Sequence, residues 1–150
     1  MSHVALRLNK YLGIDVVDNI IESDIEKYST DNIQFKCKDI TTVIDEFCIG
    51  FDAVIIRDVL VHLSFKDIQS ILNNLSKGNV KYLFTTSFLA ETINRDIPTG
   101  SWRRLNFMLP PFEFKPPIET IISYSEPYNI NEYRYFDKTL SMWKVEDIKK

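Results

Sequence analysis

Side chains able to do chemistry fall in four short clusters of this chain. Asp15 follows Tyr11-Leu12-Gly13-Ile14, Asp39-Ile40 closes the stretch that starts at Ile33-Gln34-Phe35, Arg57-Asp58 follows Ala53-Val54-Ile55-Ile56, and Trp102-Arg103-Arg104 lies inside a proline-rich stretch. The first three stand where a strand-like run ends, and in open α/β sheets ligands bind outside the carboxyl ends of the strands. A carboxylate there can accept from two adjacent hydroxyls at once, as a partner of ribose does; for Asp15 a solvated acid is an equal alternative. Asp39 could accept from an adenine amino group while Ile40 packs on the ring, or it could cap a helix over Thr41 to Phe47. The spacing favours the cap, and the two roles are compatible. His62, alone between Val61 and Leu63, reads better as a packed or capping residue than as a general base, and no base is identified. Arg103 and Arg104 would suit an acidic substrate or face solvent, and Trp102 would contact a substrate or anchor its loop.

The elements that must position these residues follow from pattern. Ala53 to Ile56 is an unbroken apolar run, as expected of a strand covered on both faces of a parallel sheet. A helix opens at Ser64: Ser64 with Asp67 resembles a capping box, and Phe65, Ile68, Ile71, Leu72 and Leu75 recur at helical spacing, with Gly78 suited to a left-handed closing residue. Val80 to Phe88 is the next strand, completing a βαβ crossover. Upstream, Tyr11 to Val17 reads as a strand, Asp18 as the cap of a helix to Tyr28 with Ile20, Ile21, Ile25 and Tyr28 inward, and Ile33 to Cys37 as an alternating strand. In Met1 to Asn9, Val4, Leu6 and Leu8 alternate as in a strand, while Val4, Ala5 and Leu8 fit the tail of a helix, the preferred reading. Leu89 to Pro117 contains five prolines and the aromatics Trp102, Phe107, Phe112 and Phe114. It exceeds the roughly 12 to 15 residues of an ordinary loop, and its aromatics argue for a segment covering the substrate. Ile118 to Tyr124 and Thr139 to Val145 read as strands whose short connection suits an antiparallel pair. The expected fold is α/β: a doubly wound, mostly parallel sheet ending in an antiparallel strand, in a single domain over residues 1–150.

Composition narrows the function. A net charge of -3 and a pI near 5.4 give no electrostatic reason to expect binding to nucleic acid or a membrane surface. There is no apolar run of transmembrane length and no signal-peptide pattern, so a cytoplasmic location is expected. Cys37 and Cys48 have neither a CxxC spacing nor a nearby His, so no metal is expected and both are taken as core fillers.

These stretches, together with Arg57-Asp58-Val59-Leu60-Val61-His62-Leu63 and Asp96-Ile97-Pro98-Thr99-Gly100-Ser101-Trp102-Arg103-Arg104-Leu105-Asn106, resemble the class I S-adenosylmethionine-dependent methyltransferases, a Rossmann-like family with seven strands and a reversed last strand. The resemblance covers nearly the whole chain. It implies S-adenosylmethionine as cofactor, with Asp15 on the ribose, Asp39 and Ile40 at the adenine, and Arg57 and Asp58 flooring the methionine part. It further implies Trp102 and Arg103 on the substrate side and a small-molecule methyl acceptor. The family also places a first strand and a Gly-x-Gly-x-Gly turn ahead of the strand ending at Asp15. The four glycines here, Gly13, Gly50, Gly78 and Gly100, form no Gly-x-Gly pair. The resemblance therefore implies a domain truncated at its N-terminus, or one in which Val4 to Leu8, a second copy or a partner completes the sheet. It also implies weak or absent catalysis by the isolated chain, the alternative function being a non-catalytic binding or regulatory subunit. A nicotinamide-dependent enzyme is a third reading, disfavoured by the antiparallel ending and by Asp39-Ile40.

Overall fold

The computed structural model describes residues 8–42, 49–122 and 137–148. Its order is β1 (Tyr11–Asp15), α1 (Asp18–Tyr28), β2 (Ile33–Cys37), β3 (Ala53–Ile56), a 3₁₀ turn (Leu60–His62), α2 (Phe65–Lys77), β4 (Tyr82–Phe88), β5 (Glu119–Ile122) and β6 (Lys138–Lys144), closed by a second 3₁₀ turn at Val145–Asp147. β1 and β2 pair in parallel, as do β3 and β4, while β6 runs antiparallel to both β4 and β5. The strands form two groups, β1-β2 and β3-β4-β6-β5. This is a Rossmann-like arrangement with the predicted antiparallel ending. Among the described residues, β1 and β3 each pair along one edge only. The expected helices at Met1 to Asn9 and Thr41 to Phe47, Cys48, and the connection from Ser125 fall wholly or mostly outside the described residues.

The core lies between α2 and the four-stranded sheet. Ile68, Ile71, Leu72 and Leu75 of α2 meet Ile56, Leu83 and Trp143 of the strands. Each such side chain contributes about 1.5–3 kcal/mol by leaving water. Leu105, Phe107, Phe112 and Phe114 join the same cluster, and the Phe107 and Phe114 rings stack with centroids 5.2 Å apart. Much of the segment at 89–117 is thus core and not cover. It has no helix or strand, so side chains satisfy its backbone. Asn94 Nδ2 donates to the carbonyls of Asn106, Leu109 and Pro110, and Asn106 Nδ2 donates to those of Leu89 and Glu91.

Several expectations need correction. β3 is not covered on both faces, since Ile56 is buried but Ile55 is 64% exposed. Of the four residues expected to face inward from α1, only Ile21 is buried. The reason is geometric: two strands about 4.8 Å apart make too narrow a floor for a helix about 10 Å across. Asp18 is the first helical residue; Val17 is the cap, with no side-chain bond. Gly78 is extended (φ -79°, ψ 176°), because the chain runs on into β4 without reversing. Cys37 is half-buried, its thiol donating to the Val16 carbonyl at 3.5 Å. That thiol is held above its usual range, first by the neighbouring Asp18 carboxylate and then by desolvation.

Candidate functional site

Strand order puts the chemistry at one end of each parallel pair. Asp15 closes β1 and is in register with Cys37, so Asp39 stands two residues beyond its partner at the same sheet end. The Lys38 amide donates to the Asp15 carbonyl at 2.9 Å, tying the two turns together. The Asp15 carboxylate accepts the Val17 amide through Oδ1 at 2.9 Å. Asp39 Oδ1 accepts from both the amide and the hydroxyl of Thr41, each at 2.8 Å, in a local turn; the helix it was expected to cap falls mostly outside the described residues. Among the described residues, Oδ2 of either acid has no hydrogen-bond partner. Ile40 is half-buried against the core of the four-stranded sheet, and Lys10 lies 4.5 Å over the Phe51 ring. These two contacts link the β1-β2 pair to the rest.

At the end of β3 the chain turns through Asp58 at φ 58°, a left-handed conformation that Asp tolerates better than most residues. Three strands converge on its carboxylate. Thr86 of β4 donates its hydroxyl to Oδ1 at 3.1 Å and accepts the Asp58 amide at 2.9 Å. Lys138, the first residue of β6, reaches Oδ1 at 2.9 Å and Oδ2 at 3.0 Å. Arg57 Nε approaches Oδ2 at 3.7 Å with its side chain largely exposed. Beside this group is a cleft of ≈ 110 Å³ lined by Asp58, Phe88, Trp102 and Lys138. A second, of ≈ 130 Å³, is lined by Arg57, Thr86, Ile121, Lys138, Thr139 and Leu140. Trp102 is 45% exposed and meets the Phe88 ring edge-on at 6.2 Å.

The segment at 89–117 is stitched to the turn after β3. Gly100 and Arg103 amides donate to the His62 and Val61 carbonyls, and the Ser64 and Phe65 amides donate to Thr99 Oγ1 and Asp96 Oδ1. The capping box therefore forms only half as expected. Ser64 Oγ accepts the Asp67 amide, while the Asp67 carboxylate turns to Thr99 and reaches the Ser64 amide through it. Those hydrogen bonds, Thr99 first, hold the Asp67 carboxyl below its usual range. His62 Nδ1 is 2.8 Å from the Ser101 carbonyl oxygen, so this exposed ring joins the same seam.

Arg103, expected on the substrate side or in solvent, is inside the protein. It is 8% exposed, and its guanidinium donates to the carbonyls of Leu60, Val61 and Leu63 at 2.7–3.3 Å. Burial lowers its pKa to about 10, partly offset by Asp96, which leaves it a cation at neutral pH. Arg104 pairs with Asp137 and Glu91 and lies 5.3 Å over Phe88. Sequence reasoning missed Lys138, Thr86 and Phe88. The signal for Lys138 was topological: a strand antiparallel to its neighbour starts beside that neighbour's carboxyl end.

No protein-family model and no curated protein matches the sequence. Solved structures do match. N-methyltransferase NodS from Bradyrhizobium japonicum, in complex with S-adenosyl-L-homocysteine, superposes with a TM-score of 0.60 at 17% identity, over 90% of this chain and 66% of that one. The fold is that of the class I S-adenosylmethionine-dependent methyltransferases. Magnesium protoporphyrin IX methyltransferase (ChlM) from Synechocystis with bound S-adenosylmethionine shares this methyltransferase fold, with a TM-score of 0.54 at 12% identity over 89% of this chain and 58% of that one. TehB from Haemophilus influenzae gives 0.52 at 15% identity, over 90% and 48%. The chain thus spans about half to two thirds of the length of these methyltransferase-fold structures.

Proposed function

We propose that the protein binds S-adenosylmethionine across the strand ends and transfers its methyl group to a small-molecule acceptor. The observation that carries this reading is that Asp58, Lys138, Phe88 and Trp102 line one cleft at the carboxyl ends of β3 and β4 in a methyltransferase fold, with Asp15 and Asp39 just past the corresponding ends of the separate β1-β2 pair. The open carboxylate oxygens suit the cofactor: Asp15 Oδ2 would take ribose hydroxyls, and Asp39 Oδ2 an adenine amino group beside Ile40. Bound cofactor would supply an electrophilic methyl on a sulfonium. The chain's own residues align and desolvate: Arg57 and Asp58 floor the site, and Trp102 over Phe88 walls the acceptor side. Calorimetry with S-adenosylhomocysteine tests this. The expected result is binding that weakens at least tenfold in Asp15→Ala and Asp39→Ala proteins of unchanged circular dichroism. Folded protein that binds none at millimolar ligand overturns it.

A second reading, a methyltransferase-like binding or regulatory subunit, is favoured by the one-sided pairing of β1 and β3 among the described residues. It takes a homodimer or another protein to complete the sheet. Cofactor binding without methyl transfer to any acceptor, in a chain purified with or without a partner, would support it; turnover by the isolated chain would end it.

A further inference from the structure

We propose that the two clefts at the ends of β3, β4 and β6, which share Lys138, together select a small acceptor bearing an anionic group, a carboxylate or phenolate, which docks on Lys138 and Arg57 in one cleft while its ring lies against Trp102 in the other. This deepens the methyltransferase reading and rests on it for the word acceptor. Among the described residues, Asp58 is the one carboxylate lining either cleft. An ionised carboxylate offers about four lone-pair positions. Thr86 Oγ1 and the two approaches of Lys138 Nζ take three, and Arg57 Nε stands toward the fourth at 3.7 Å. Little is left to receive an ammonium or amide donor from a ligand.

The donor side is in surplus. Lys138 has three N–H bonds for two carboxylate contacts, and Arg57 has five, of which its closest approach is longer than a hydrogen bond. Two cations against one anion leave a local charge of about +1 beside apolar walls from Ile121, Leu140, Phe88 and Trp102. Arg104 does not add to it, since it pairs with Asp137 and Glu91. What completes such a site is an acceptor-rich, negatively charged group on a flat apolar body. Asp58, held by three strands, positions Lys138 and fixes where that charge must sit.

The same anion chemistry could come from the cofactor's own carboxylate, and the test separates the two. Benzoate, benzamide and benzamidine are titrated into the protein with and without saturating S-adenosylhomocysteine. Benzoate is expected to bind at least tenfold more tightly than benzamide, and benzamidine most weakly. Lys138→Gln and Arg57→Gln should each reduce that preference at least fivefold, Lys138→Gln moving it toward benzamidine because Asp58 is then uncovered, whereas Lys138→Arg keeps it. Arg57 is largely exposed, so its variant folds even if the Lys138 variant does not. Equal affinity for benzoate and benzamide overturns the proposal. So does a Lys138→Gln protein that loses affinity for S-adenosylhomocysteine but not for 5′-methylthioadenosine, which would give the anion to the cofactor. Failure of S-adenosylhomocysteine to bind strikes the methyltransferase reading alone, and the benzoate preference without it still decides the anion site.

Discussion

The Arg103 guanidinium is the clearest case of a side chain whose role depends on contacts distant in sequence. Two adjacent arginines in a proline-rich stretch read as solvent-facing, because nothing local shows that a 3₁₀ turn some forty residues earlier offers three carbonyls to one of them. Removing it strips a charge-assisted bond from each of the three carbonyls, of which Leu60 and Val61 keep backbone donors. Arg103→Ala is therefore expected to lower stability by about 2–4 kcal/mol in urea unfolding, with Arg103→Lys recovering only part because a single ammonium cannot span the same fork. Asp67 gives a pH signature. Its folded pKa lies below the unfolded one, so its contribution is complete above the ordinary carboxylate range and is lost as pH falls through the depressed value. Asp67→Asn should flatten the acid limb of a stability profile below pH about 4 and leave the neutral region parallel to the wild type. By contrast, Asp15, Asp39 and Asp58 were legible as a class, because strand ends are recognisable from apolar runs. Their hydrogen bonds were not, since those depend on which strand lies alongside.

At the scale of elements, β1, β2, β3, α2 and β4 were readable from apolar runs and their period, and the antiparallel ending from loop length. The stretch at 89–117 resisted that reading. Its buried Leu105, Phe107, Phe112 and Phe114 follow neither a period of 2 nor one of 3.6, so core and cover could not be told apart. One close approach inside the β1-β2 pair makes a sharp test. A Cβ on Gly13 would stand 2.5 Å from Cδ1 of Phe35, whose ring also meets Tyr11 edge-on. Gly13→Ala must push that ring aside, and a loss of about 1–3 kcal/mol is expected by thermal or urea unfolding. A Phe35→Leu background, with no ring at that position, should reduce the penalty; an equal penalty there would mean the backbone and not the ring is the obstacle.

For the whole molecule, the division into β1-β2 and β3-β4-β6-β5 leaves two parallel strands with one edge each unpaired among the described residues. Ile55 on β3 and Val16 just past β1 are each 64% exposed. Unpaired edges with apolar flanks recruit other chains. Light scattering is expected to give a mass above 17.6 kDa that rises with concentration, and Ile55→Lys should bring it down to that value; a strictly monomeric wild type would show the edges to be satisfied within the chain. The seam joining residues 96–103 to the turn after β3 has a further consequence, for digestion. A protease must draw the scissile bond out of its surroundings, so susceptibility follows local opening and not the mere lack of helix or strand. Arg95 is exposed, whereas Arg103 and Arg104 are held by carbonyls and carboxylates. Within this one irregular stretch, limited trypsin treatment should nick the bond after Arg95 first and leave the Arg103-Arg104 pair intact until the domain unfolds.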